Sequence, residues 1–298
     1  KLKVFRLYAD HRPVLSLEVI SDSESTSSFI YTISCEDFHF VSGHFYQIAT
    51  EQNYFIPIDI SFLATTEEFE KQYRFDGQLG SIYSKEETTF RVFSPLSCEI
   101  TLHIKKKDSD LWETYSMNHD FDHGVFFITC KGDYDGACYL YERFQFGQSV
   151  LVADPYSFSL SSNSRWSFVI SPEKVKKLPS YEECLPPFED RIYECDVRDM
   201  TSRTDLKDRG TYKALSTSGL KDKSSLPIGL DYLSSLGVTH VQLLPVLDFQ
   251  TIDDDNPFSM YNWGYDPVSY FSPEGSYSSD PNDGYSRVIE LKQLIGAL

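Results

Sequence analysis

Positive charge is scarce in this 298-residue chain, where 27 Lys and Arg face 45 Asp and Glu for a formal net charge of −18. Such a surface repels phosphate backbones and anionic bilayers, so neither nucleic acid nor membrane is an expected partner. Cysteine is sparse and scattered. Cys35, Cys98, Cys130, Cys138, Cys184 and Cys195 form no CxxC pair and no Cys/His spacing suited to zinc. That usage predicts reduced thiols and a cytoplasmic protein. No stretch approaches the roughly 20 apolar residues of a membrane helix, and Lys1–Asp10 lacks the apolar run of a signal peptide. Glycine-rich phosphate loops, GxSxG elbows and HExxH pairs are all missing, which removes those mechanisms. No cofactor and no metal is implied.

Aromatic residues, by contrast, are plentiful. There are 22 Phe, 20 Tyr and 3 Trp, 15% of the chain, within a hydrophobic share of 41%. That composition supports packed cores and favours β-rich folding, and exposed rings can stack on sugars. Length predicts two or three domains.

Local patterning divides the chain. Residues 1–75 alternate in short runs, among them Val14–Ile20, Phe29–Ile33 and Tyr54–Ile60, with Ser21–Ser28 as a polar turn and Pro57 suggesting an edge strand. The acidic stretch Thr65–Lys71 leads out of this β-rich unit. Residues 76–170 continue with Thr88–Phe93, Glu99–Ile104, Val125–Cys130 and Cys138–Tyr141, the last two joined through Lys131–Gly136, which has tight-turn chemistry. Regular short strands of this kind predict an immunoglobulin-like β-sandwich. A proline-bearing linker at 171–190 follows, with Pro172, Pro179, Pro186 and Pro187.

From residue 191 the pattern changes. Arg191–Arg198 predicts a strand and Leu226–Gly237 a helix with Leu230, Leu233 and Leu236 on one face. The nearly continuous apolar run Val238–Val246 predicts a parallel strand buried on both faces. Arg287–Leu298 predicts a second helix whose apolar stripe is Val288, Leu291, Leu294, Ile295 and Leu298. Strand, helix, strand, helix opens a βα array. Two such units do not close a barrel, so 191–298 reads as the first part of a larger catalytic domain.

The loop between Leu247 and Arg287 is far longer than an ordinary βα connection, which marks it as functional. Within it lies Tyr261-Asn262-Trp263-Gly264-Tyr265-Asp266-Pro267, an aromatic-rich run. Tyr265 suits stacking on the apolar face of a sugar, and Asp266 suits accepting from hydroxyls. A loop packed on itself is the competing reading. Asp253–Asp255 reads as a solvated acidic turn, since its spacing fits no calcium loop. His119–His123 reads as a polar turn. Trp112 and Trp166 read as core or interdomain anchors in preference to sugar platforms. Glu194, Asp196 and Asp199 offer either a carboxylate pair or partners for Arg191 and Arg198.

These residues together resemble the type I pullulanases, debranching members of the α-amylase superfamily (glycoside hydrolase family 13). YNWGYDP at Tyr261–Pro267 resembles the family signature. Val238–Val246 is similar to its second barrel strand and Phe271–Ser278 to its PEGSYS-type continuation. Arg191–Thr201 resembles its first strand, with Cys195 and Asp196 departing from the common pair. Gly210–Leu215 is similar to its GKYxGL segment. Upstream, Asp76–Tyr83, Thr88–Pro95 and Val152–Tyr156 resemble its starch-binding (CBM48-like) β-sandwich. The resemblance spans about residues 69–298, while 1–68 are at most similar to the N-terminal domain of intracellular members.

The resemblance implies a multidomain protein with N-terminal β-domains, then the first two βα units of a (β/α)8 TIM barrel at 191–298. It implies hydrolysis of α-1,6 bonds in pullulan, amylopectin and glycogen-derived dextrins by a retaining two-carboxylate mechanism. The family's catalytic Asp and Glu match nothing here and are expected beyond Leu298, so these residues alone are expected to be inactive. Carried over by position, the substrate-binding residues are Tyr265, the platform, with Asp266, Trp263 and Asn262; the partner is an α-glucan. A branching or other debranching enzyme of the superfamily, or a non-catalytic glucan-binding protein, is the alternative.

Overall fold

The structure, a computed structural model, describes residues 5–24, 29–34, 38–175 and 190–298. Cys35, Cys184, Pro179, Pro186 and Pro187, with most of the expected linker, lie outside the described residues.

The chain begins with a five-stranded antiparallel sheet. Its strands are β1 (Phe5–Ala9), β2 (Arg12–Glu24), β3 (Phe29–Ser34), β4 (Tyr46–Thr50) and β5 (Phe55–Pro57), in the order β3-β2-β1-β4-β5. Pro57 lies on an edge strand, where its missing N–H costs no ladder bond. Residues 21–24, expected in a turn, instead extend β2 and pair with β3 beyond a register shift at Val19/Ser21. Ladder pairing there overrides the turn preference of serine. The acidic stretch forms α1 (Glu67–Gln72), which Thr66 caps by accepting from the Phe69 N–H. The first core, around Leu7, Tyr46 and Ile60, also packs on Leu96 and Phe146 from the next unit.

A β-sandwich follows. One sheet orders β10-β11-β7-β6, with β6 (Gly80–Tyr83), β7 (Glu87–Phe93), β10 (Asn118–Asp120) and β11 (Val125–Lys131). The other orders β13-β12-β8-β9, with β8 (Glu99–Lys105), β9 (Glu113–Ser116), β12 (Cys138–Gln145) and β13 (Gln148–Val152), while β14 (Ser167–Phe168) also pairs with β12. Period-two burial explains the stacking: Thr88, Phe90 and Val92 alternate inward on β7, as do Ile100, Leu102 and Ile104 on β8. They meet Phe126, Cys130, Tyr139 and Tyr141 in one core. Lys131–Gly136 is not a hairpin turn, because β11 and β12 belong to different sheets and the segment crosses between them. Trp112 is no core anchor: it is 41% exposed, edge-on to Trp166 at 6.5 Å, with Lys105 Nζ 5.7 Å from its ring.

The last unit contains β15 (Ile192–Cys195), α2 (Tyr212–Leu215), α3 (Gly229–Ser235), β16 (His240–Leu243) and α4 (Ser286–Ala297). β15 and β16 pair in parallel, with Ile192 opposite His240 and Cys195 opposite Leu243. Only four of the nine residues Val238–Val246 form the strand, and His240 and Gln242 are exposed rather than buried on both faces. The reason is topological. Among the described residues β16 has β15 as its sole sheet neighbour, so one edge has no ladder to join. α3 buries Leu233 but leaves Leu236 exposed, and Gly237 ends the segment at φ 61°. On α4 the buried positions are Arg287, Glu290 and Leu294, so a charged residue opens the face expected to be wholly apolar.

Candidate functional site

The Tyr261–Pro267 run alternates like a strand although it is loop. Tyr261, Trp263 and Tyr265 are 48%, 62% and 69% exposed, while Asn262 and Asp266 are half-buried and Gly264 is buried between them. The even positions build a frame. Asn262 Nδ2 donates to Asp266 Oδ1 at 2.7 Å and to the Gln250 carbonyl at 2.8 Å, and its Oδ1 accepts from the Gly264 N–H at 2.9 Å. Asp266 Oδ2 accepts from Thr251 Oγ1 at 2.8 Å. Both carboxylate oxygens of Asp266 therefore carry an internal bond, which fixes the turn and leaves only further lone pairs to face solvent.

Backbone conformation at this site is specialised. Gly264 has φ 87°, and a Cβ there would meet Phe249 Cδ1 and Pro245 Cβ at 3.0 Å, so only glycine lets the loop lie on the Phe249 ring. Thr251, the partner of Asp266, holds φ 77°, a left-handed conformation that is costly for a β-branched residue.

The odd positions face outward, and the first of them, Tyr261, is steered by the segment after β15. Tyr261 OH donates to Asp199 Oδ2 at 2.9 Å, and the Arg198 guanidinium lies 5.5 Å from the Tyr261 ring and 4.7 Å from Phe258. Burial, then the Asp199 carboxylate, pushes the Tyr261 phenol up to about 12. Arg198 also donates to the Met260 carbonyl. Asp196, raised mainly by burial, is met by the Arg198 and Asp199 N–H groups and by Tyr277 OH rather than by a guanidinium. Glu194 accepts from Gln242 on the neighbouring strand. Three exposed rings thus stand on a hydrogen-bonded frame.

Beneath the loop lies a buried charge cluster that pattern reading missed. Arg287, with no exposed side-chain surface, bonds Asp248 Oδ1 through Nη1 at 2.7 Å and the Pro273 carbonyl at 2.9 Å. Its Nη2 faces Asp254 Oδ2 at 3.7 Å and donates to the Ser161 carbonyl at 3.3 Å. Asp254 is thus buried, not part of a solvated turn, although Asp253 and Asp255 beside it are exposed. Glu274 accepts from the Phe249 N–H at 2.9 Å and the Ser276 N–H at 2.8 Å. Burial, then the charges of Asp254 and Asp248, raises Glu274 to about 8. Asp248 is also raised, because burial outweighs the adjacent guanidinium. These carboxylates are enclosed and fully engaged, so they build the site rather than react in it. The available signal was an arginine at a core-facing helix position behind a loop rich in acids, which does not say which of them it meets.

The carbohydrate-binding module 48 family (isoamylase N-terminal domain) matches residues 78–157. A pullulanase of Bacillus subtilis (strain 168) is 30% identical over 271 residues, 90% of this chain and 38% of that protein. The crystal structure of a pullulanase from Anoxybacillus sp. LM18-11 superposes with a TM-score of 0.87 at 33% identity, covering 100% of this chain and 43% of that one. The maltotriose complex of the same enzyme gives 0.85. A type I pullulanase of Bacillus subtilis complexed with maltose gives 0.81 at 29% identity, over 99% of this chain and 41% of that one. The chain spans less than half the length of these relatives. In sequence and fold together, it matches the N-terminal portion of type I pullulanases and carries a carbohydrate-binding module 48.

Proposed function

We propose that the protein containing these residues is a pullulanase that hydrolyses α-1,6 bonds in pullulan, amylopectin and glycogen-derived dextrins with retention. The observation that carries this is the YNWGYDP loop, with its Asn262–Asp266 clasp and three outward rings. It sits in a chain that superposes throughout on a pullulanase solved with maltotriose. Tyr265 is the platform for a glucose ring, Trp263 flanks it, and Asn262 and Asp266 hold the frame. A flat ring meets the apolar C–H face of a sugar without needing a charge, which suits a neutral α-glucan and a chain of net charge −18.

The division at 1–75, 76–170, 171–190 and 191–298 belongs to this proposal, as does the (β/α)8 barrel of which β15, α3, β16 and α4 are the first two units. The parallel β15–β16 pair with an intervening helix supports it. Retaining hydrolysis needs a nucleophile and an acid/base carboxyl about 5–5.5 Å apart across the scissile bond. No residue here is assigned to either role, and these 298 residues alone are expected to leave pullulan intact. Cys98, Cys130, Cys138 and Cys195 are free thiols, which supports a reducing, cytoplasmic setting. Product analysis tests the function. The full-length protein releases maltotriose from pullulan under this proposal, whereas a branching enzyme or a pure binding protein releases none.

A further inference from the structure

The sandwich and the YNWGYDP loop meet through side chains that lie outside any sugar-facing surface. At the end of the sandwich, Asn163 and Ser164 turn through left-handed backbone, φ 55° and 53°. Asn163 is clamped from both sides. Its N–H donates to Asp254 Oδ2 at 2.9 Å, its Nδ2 to Asp253 Oδ1 at 3.0 Å, and its Oδ1 accepts from the Asp254 N–H at 3.0 Å. Ser164 Oγ donates to Asp248 Oδ2, the same carboxylate whose other oxygen holds Arg287.

Asp248 is the node between this turn and the loop. Its carbonyl accepts from the Val268 N–H at 2.8 Å and the Ser269 N–H at 3.2 Å, and its N–H donates to the Ser272 carbonyl at 3.0 Å. The next residue, Phe249, bridges to Pro267 and lies under Gly264. Phe249 also gives its N–H to Glu274, which is enclosed in the same cluster. The path from sandwich to loop is therefore Ser164 and Asn163, then Asp248 and Asp254 around Arg287, then Phe249, then Gly264 and the flanking Trp263 and Tyr265. Ser164, Asp248, Asp254, Arg287, Phe249 and Gly264 along it are buried or half-buried, while Asn163 and the two terminal rings are exposed. A second contact runs beside it, Tyr156 of the sandwich against Phe271 at 5.9 Å.

We propose that the Asn163–Ser164 turn of the sandwich is a positioning element for the YNWGYDP loop, acting through the Asp248–Arg287–Asp254 cluster. This rests on the proposed reading of that loop as the substrate site. It gives the sandwich a role that requires no glucan to be bound on the sandwich itself. The cluster transmits position because its members cannot relax independently. A guanidinium held by two carboxylates and three carbonyls has no solvent to retreat into, and losing either carboxylate leaves buried charge uncompensated.

The test uses the 298-residue chain labelled with 5-fluorotryptophan, its three tryptophans assigned by Trp→Phe variants. The readout is the Trp263 fluorine resonance. Ser164→Ala removes one hydroxyl, and Asn163→Gly removes the side chain while keeping the left-handed backbone accessible. Each is expected to shift or broaden the Trp263 resonance. Thr89→Ala, on β7 and paired to Thr129, serves as the control and leaves it in place. Should Asn163→Gly fail to fold, Ser164→Ala still decides. An unmoved Trp263 resonance in a folded Ser164→Ala chain, or an equal shift in Thr89→Ala, overturns the proposal. Maltotriose release from pullulan by the full-length wild-type protein is read separately and tests the functional reading alone, so the two fail apart.

Discussion

Gly275→Ala probes the buried cluster without touching any exposed ring. A Cβ at that position would lie 2.5 Å from Arg287 Nη2 and closer still to Asp254 Oδ2. Arg287 cannot withdraw, since Nη1 is held by Asp248 at 2.7 Å and by the Pro273 carbonyl at 2.9 Å. Asp254 must then move, giving up its approach to Arg287 and the bond from the Asn163 N–H. Overpacking costs about 1–3 kcal/mol, and breaking a buried ion pair about 3–5 kcal/mol. Asp254 is already raised by burial, so it can protonate and recover part of that. The net expectation is a loss of about 4 kcal/mol. At about 2–4 °C per kcal/mol for a cooperative unit of this size, melting falls by roughly 8–16 °C. Scanning calorimetry of wild-type and variant chains reads the shift. A fall of less than about 2 °C, under 1 kcal/mol on the same scale, would show that the cluster rearranges freely and would refute the reasoning.

Two further outcomes follow from burial and thiol state. Glu274 sits at about 8 in the folded chain, above the ordinary value near 4.3 in the unfolded one. A raised acid binds its proton more tightly when folded, so its contribution is complete below the unfolded value and is lost as pH rises toward 8. Asp154, raised to about 6 mainly by burial, acts in the same direction at lower pH. The urea midpoint is therefore expected to be lower at pH 8.5 than at pH 6; an equal or higher midpoint contradicts the assignment. Thiol titration under denaturing, non-reducing conditions is expected to find all six cysteines of the sequence free, and a count of four or fewer would point to a disulfide and an oxidising location.

Half-buried strands announce themselves locally, which is why the sandwich was legible. Phe90 and Val92, or Leu102 and Ile104, lie two residues apart and share a face whatever the rest of the chain does. The YNWGYDP frame was half legible, since its composition shows three rings and two polar residues but not the clasp that sends the rings outward. The Arg287 cluster was not legible. Its partners are 39 residues away at Asp248 and 126 away at Ser161, so no local period marks them. At the start of a helix an arginine ordinarily faces water, and three consecutive aspartates ordinarily do as well. Val238–Val246 misled for a different reason: apolar content shows that a strand can be buried, whereas the neighbours decide how much of it pairs.

One variant of the full-length protein bears most directly on the central claim. Tyr265 is 69% exposed, so truncating it to alanine removes little packing and is expected to leave melting nearly unchanged. Stacking that strengthens as a sugar ring flattens toward an oxocarbenium-like transition state is worth about 2–4 kcal/mol, the scale of one catalytic contact. Maltotriose release from pullulan by Tyr265→Ala is then expected to fall by roughly 30- to 1,000-fold. Near-normal turnover combined with a large drop in melting temperature would contradict the account, and would mean that YNWGYDP is a structural loop rather than the surface on which the glucan rests.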